Sequence, residues 1–130
     1  MTTALHDKTG APVTITLDEH RPINAYTVHL ADGALAGRAD FVDVPDTDGE
    51  RIFFHTEVGQ DFAGRGLGGL LVREALADSI RKGLTVVPVC PLFAAHLDTH
   101  GGEFLADGGR LRRPTPADIT LVKATVARSE

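Results

Sequence analysis

The chain has 130 residues, 42% hydrophobic and 24% charged, which suits one hydrophobic core and argues against wholesale disorder. Its net charge of −5 speaks against general binding to nucleic acid or an anionic membrane, and a single cysteine, Cys90, excludes an intramolecular disulfide or a cysteine zinc cluster. No apolar run approaches the ~20 residues of a membrane-crossing helix, and MTTALHDKTG lacks a signal-peptide core, so the expectation is one cytoplasmic domain over residues 1–130.

Residues 1–12 are polar, contain Gly10 and Pro12, and read as a loose lead-in. VTITL at 13–17 alternates but is short and isolated. NAYTVHL at 24–30 alternates better, with Ala25, Thr27 and His29 on one face and Tyr26, Val28 and Leu30 on the other. Ala31-Asp32-Gly33 then predicts a hairpin turn. A second strand is expected over 34–44, ended by the turn-rich Pro45-Asp46-Thr47-Asp48-Gly49. A third, ERIFFHTEV at 50–58, places Ile52, Phe54, Thr56 and Val58 on one face and Phe53, His55 and Glu57 on the other. Three strands with short turns make an antiparallel meander.

EVGQDFAGRGLGGLLV at 57–72 runs from a strand end through a glycine-rich turn into a helix expected over 66–82. Unpaired N–H groups and the helix dipole make such a start an anion site, and Gly64, Gly66, Gly68 and Gly69 let a phosphate approach closely. Val72, Ala75, Leu76 and Ile80 form the apolar arc, with Gly68, Gly69 and Ser79 among them. Arg73, Glu74, Asp78, Arg81 and Lys82 form the other, read like Asp18 and Glu19 as solvated surface. Gly83 is a stop signal.

TVVPVC at 85–90 should return parallel to the third meander strand. Pro88 has no N–H, so either this is an edge strand or the ladder opens there, leaving a slot beside the glycine turn. Pro91 fits a first helical position, and LFAAHLDTH reads as a short helix ended by Gly101-Gly102. Residues 102–115 look loop-like. Thr115-Pro116-Ala117-Asp118 resembles a capping box before a final helix reaching about residue 128. The arginines at 110, 112 and 113 read as loop solvation, with contact to a ligand's nucleotide end as the minor reading.

This order of elements resembles the acetyl-CoA-binding core of GNAT-type N-acetyltransferases, whose Arg/Gln-x-x-Gly-x-Gly/Ala motif is matched at both closing glycines by Ala63-Gly64-Arg65-Gly66-Leu67-Gly68. A narrower resemblance is to small, truncated GNAT-like proteins, through His55-Thr56-Glu57-Val58 and Val87-Pro88-Val89-Cys90-Pro91. The match covers roughly 20–106 and is strongest over 50–97, leaving a loop and C-terminal helix at 107–130 outside it. The resemblance implies an α/β (α+β) fold: an antiparallel N-terminal meander, then a βαβ crossover in a mixed sheet flanked by helices. It implies acetyl-CoA (coenzyme A) as cofactor and an amine, small molecule or peptide, as acceptor. The cofactor's phosphates would rest on N–H groups of Gly64, Arg65, Gly66, Leu67, Gly68 and Gly69, and its pantetheine arm along Glu57, Val58 and Gly59. Ala63 departs from the usual Arg or Gln, with Arg65 a nearby substitute.

Cys90 is implied as catalytic, either as nucleophile or as acid to the departing thiolate; the bland alternative is a buried small hydrophobe. Its place before a helix start favours thiolate. His55 and Glu57 lie ~7 Å apart along one strand face and either could take a proton from an amine, Glu57 being the better base. A metal site of His55, Glu57, His96 and His100 lacks the pattern of a zinc helix and is set aside. The truncated architecture suggests an open acceptor site or completion by a second subunit in a homodimer. The rival reading is a coenzyme A-binding sensor or interaction module without turnover, favoured by Ala63 and by the absence of a tyrosine after Cys90.

Overall fold

The alternating segments assemble into one seven-stranded sheet in which spatial order follows chain order. The computed structural model describes residues 2–19 and 22–129. Strands β1 (Thr2–His6), β2 (Pro12–Asp18), β3 (Asn24–Leu30), β4 (Leu35–Val44) and β5 (Glu50–Val58) are joined by short connections, so each consecutive pair is antiparallel. Helix α1 (Leu67–Arg81) fills the crossover to β6 (Thr85–Pro88), which runs parallel to β5. Helix α2 (Pro91–Ala106) leads to the two-residue β7 (Arg110–Leu111), parallel to β6, and α3 (Pro116–Ser129) ends the described chain. The expected mixed α/β sheet is therefore present.

Residues 2–12 do not form the loose lead-in expected of 1–12, of which Met1 lies outside the described residues. β1 pairs along its length with β2, from Thr2 opposite Thr16 to His6 opposite Pro12, so the 13–17 segment is not isolated either. Asp7 shapes the turn between them: its Oδ1 accepts from the Thr9 N–H (2.8 Å), the Thr9 hydroxyl (2.6 Å) and the Ala11 N–H (3.1 Å). Side-chain capture of nearby N–H groups is what makes Asp a turn former.

The face assignment in β5 also needs correction. Asp40 pairs with His55 but Phe41 pairs with Phe53, so Phe54 is an extra, bulged residue. One inserted residue reverses the side-chain alternation beyond it. Phe53 and Val58 pack in the cluster that also holds Val72, Phe93 and Cys90, on the side of α1 and α2. Ile52 and Phe54 pack with Leu121 and Val122 of α3 on the opposite side. Past the bulge, Thr56 joins the α1/α2 side, while His55 and Glu57 turn to the α3 side.

α1 begins one residue later and ends one earlier than expected, between Gly66 and Lys82. Gly83, at φ +65°, closes it with Leu84 N–H bonding back to Ser79 O (2.9 Å). Asp78 is not solvated: it is 2% exposed and takes the Tyr26 hydroxyl (2.5 Å) and Lys82 ammonium (2.9 Å). Arg51 completes the network, donating to Tyr26 (3.0 Å) and Asp43 (2.8 Å) with its guanidinium 4.0 Å above the Phe41 ring. Burial followed by the Asp78 bond pushes the Tyr26 phenol far above its ordinary range. Burial would raise Asp78, but the bonds from Tyr26 and Lys82 outweigh it and hold the carboxyl low.

α2 does not stop at Gly101-Gly102. Each helical glycine costs ~1 kcal/mol relative to alanine, yet the helix runs on to Ala106 because Phe93, Leu97 and Phe104 share one buried face. The stop comes at Gly108, φ +95°, with Gly109 N–H returning to Phe104 O (2.8 Å). Arg112 is likewise no free loop cation: it bridges Asp118 and Glu50, both at 2.9 Å, tying α3 to the start of β5. Asp118 also accepts from the Thr115 N–H (2.7 Å), as the capping pattern anticipated.

Candidate active site

Two backbone features meet beside α1. The first is the turn feeding the helix. A 3-10 turn (Gln60–Phe62) follows β5, and Gly64 (φ +83°) and Gly66 (φ +75°) then take left-handed conformations that favour glycine. Gly66 is the N-cap; no side chain caps the helix and its first turn holds no acidic residue. The leading amides of α1 thus have no side-chain cap and no acidic residue in the first turn offsets the dipole's positive end, the chemistry of an anion cradle.

The second is the end of the β5–β6 ladder. Pairing stops at Phe53 opposite Pro88, and the Val89 and Cys90 N–H groups both converge on Phe53 O at 3.0 and 2.8 Å. β7 covers the far side of β6, so β6 is not an edge strand. The ladder ends because Pro88 carries no N–H. β5 continues for five more residues, to Val58. Gly59 N–H is spent on Ala36 O of β4 (2.9 Å). Antiparallel alternation then turns the Val58 N–H and C=O, with those of Thr56, toward the side that β6 has left.

Cys90 sits where the strands part, as N-cap of α2, and is 3% exposed. Its Sγ lies 3.3 Å from the Thr56 hydroxyl, a partner that sequence reasoning missed although Thr56 was inside the quoted motif. His55 and Glu57 are exposed on the opposite sheet face, with His55 Nε2 3.9 Å from Glu57 Oε2. The structure therefore brings His55 to Glu57, and Cys90 to Thr56, as two separate pairs.

The β1–β2 turn was also missed. Lys8 N–H bonds Arg65 O (2.9 Å), and the Lys8 stem lies across Gly66, where a Cβ would meet its Cγ at 2.9 Å. Arg65 turns its Nε toward Asp7 Oδ2 (3.8 Å) and its guanidinium toward the Phe62 ring (5.9 Å), so it is engaged with the β1–β2 turn. The Thr9 hydroxyl chiefly, against burial, lowers the Asp7 carboxyl. The Asp-Lys-Thr-Gly sequence at 7–10 was the available signal, since it is a turn signature.

On the α3 side, a groove of about 570 Å³ opens beside Glu57, lined also by Ile23, Arg38, Asp40, Arg128 and Ser129. His96 and His100 stack at 4.6 Å on α2, away from His55 and Glu57. Among the described residues no three His, Cys, Asp or Glu side chains gather as a metal site. No helix among them is long and apolar enough to cross a membrane.

A glycine turn opening an uncapped helix thus lies next to a ladder that ends at a proline. The family model for the GCN5-related N-acetyl-transferases matches residues 25–107, and the chain belongs to that family. Among solved structures it is similar to a ribosomal-protein-alanine N-acetyltransferase from Brucella melitensis biovar Abortus 2308, at 22% identity and a TM-score of 0.44, over 77% of this chain and 57% of that one. The chain thus spans little more than half the length of that neighbour. No curated protein matches it.

Proposed function

We propose that the chain is one domain that transfers an acetyl group from acetyl-CoA to a primary amine. The observation that carries this is the uncapped, acid-free start of α1 beside the strand gap at Pro88, in a chain of this family. The residues fit the cofactor: Gly64 and Gly66 hold left-handed conformations that favour glycine, and the cradle is backbone from Gly64 to Gly69. The amides of Gly64, Arg65, Gly66, Leu67, Gly68 and Gly69 would hold the phosphates. The open edge of β5, through the N–H and C=O groups of Thr56 and Val58, would pair with the pantetheine arm as an added strand does, and Glu57 between them would line the arm without a backbone bond to it. Gly59 contributes shape rather than its N–H, which is already bonded to Ala36.

Acetyl-CoA supplies an activated acyl carbon and a thiolate leaving group. Glu57, with His55 beside it, takes the proton from the attacking amine nitrogen. The Val58 N–H faces the gap and is the donor for the oxygen that gains charge. Cys90 gives its proton to the departing sulfur and is restored from solvent through the gap. Its near-complete burial and its Thr56 contact favour this acid role over an acetyl-cysteine intermediate, since reactive thiolates sit in partly exposed, electropositive settings.

Calorimetric titration with coenzyme A, followed by free-thiol release from acetyl-CoA with an amine panel, tests the reading. Binding with amine-dependent thiol release is expected, with Cys90→Ala binding coenzyme A but turning over at least ~10-fold more slowly. Binding without turnover by any amine would leave a coenzyme A-sensing module. No binding removes the proposal.

A further inference from the structure

Among the described residues, the groove beside Glu57 carries a carboxylate and a guanidinium, Glu57 and Arg128, that have only weak partners. Arg38 stands opposite Glu57 in the β4–β5 register, yet its Nε bonds Asp40 at 2.7 Å, so Asp40 and not Glu57 takes that nitrogen. Among the described residues Glu57 has only His55, at 3.9 Å, as an ionic partner. At the other wall, Arg128 makes one weak contact within its own helix, to the Thr125 hydroxyl at 3.4 Å, and meets no carboxylate among the described residues. The terminal nitrogens of Arg38 also make no hydrogen bond among the described residues. One end of the groove thus offers a carboxylate and the other a guanidinium fork.

From this geometry we propose that the groove is the acceptor site and that its ligand is zwitterionic: a primary amine that also bears a carboxylate or comparable anion. The amine faces Glu57; the anion is taken by Arg128 with help from Arg38. A plain alkylamine leaves the Arg128 fork unused, and a polyamine brings a second cation against it. Guanidinium forks match carboxylates in plane and in donor spacing, which gives selectivity as well as affinity. Arg128 lies on α3, outside the stretch 25–107 that the family model matches. The inference rests on the acetyltransferase reading for the role of the amine, but the groove can be tested without it.

The probes are β-alanine, 4-aminobutyrate and 6-aminohexanoate against propylamine, butylamine and hexylamine. Each is titrated by NMR chemical shift into the full chain, with and without coenzyme A, and assayed by thiol release. At least one amino acid should bind ~10-fold tighter than its matched alkylamine, the scale of a charge-assisted hydrogen bond. Arg128→Gln should bring that ratio close to one, whereas Lys123→Gln, elsewhere on α3, should keep it. Equal binding of both series, survival of the preference in Arg128→Gln, or no saturable binding of any amino acid each overturns the proposal. Failure of coenzyme A to bind would instead strike the acetyltransferase reading, and the amino-acid titration would still report on the groove.

Discussion

Gly66→Ala separates the geometry of the cradle from ordinary helix energetics. At φ +75° an alanine is in the left-handed region, which costs roughly 1–2 kcal/mol for a residue with a Cβ. The new Cβ also lies 2.9 Å from Lys8 Cγ, which must shift, though it belongs to a flexible side chain. With an unfolding entropy of ~2.1 cal/mol/K per residue, the chain's 130 residues translate the loss into a fall in Tm of roughly 4–7 °C. Gly101→Ala is the control. It lies inside α2 with nothing within 4 Å of the new atom, so it should gain up to ~1 kcal/mol, or ~4 °C. Scanning calorimetry reads both. Isothermal titration should find coenzyme A affinity down at least ~10-fold in Gly66→Ala, because re-aimed amides lose charge-assisted bonds, and unchanged in Gly101→Ala. A Gly66→Ala protein as stable as the parent and binding as tightly refutes the cradle.

Tyr26→Phe leaves Asp78 and Arg51 without their shared hydroxyl inside the core and should lower the urea-unfolding free energy by about 1–3 kcal/mol. The Arg112 bond holds the Asp118 carboxyl at about 2, below its ordinary 3.8. A depressed folded value means this stabilisation is complete above about pH 4 and is lost as pH falls toward 2. Unfolding midpoints of Asp118→Asn should therefore be lower than the parent's at pH 6 and converge with them near pH 2; parallel curves would count against the pairing. Lys8→Ala should weaken coenzyme A binding but not that of acetyl-pantetheine, which has no diphosphate; an equal loss for both would assign Lys8 to packing alone.

Strong local signals were legible. Alternation located β3 and β5, and the glycine turn and Gly83 bracketed α1 to within a residue. Pro88 announced the ladder's end because a missing N–H is a property of one residue. What escaped depended on distant partners or on phase. β1 is polar and owes its structure to pairing with β2. The burial of Asp78 follows from Tyr26, 52 positions away. α2 passes through Gly101-Gly102 because Phe104 beyond them finds the core. A two-residue period cannot reveal the slip at Phe54, so Thr56 was placed with Ile52, and the pair it forms with Cys90 went unseen.

That slip has a kinetic corollary. Because the strand changes phase once, His55 and Glu57 look out through the α3 side while Thr56 and Val58 look toward α1. A donor held by α1 and an acceptor lodged under α3 would then approach one scissile bond through different doorways. Neither would obstruct the other, so double-reciprocal plots should intersect, as for a ternary complex, and not run parallel as they would for shuttling by way of an acylated enzyme.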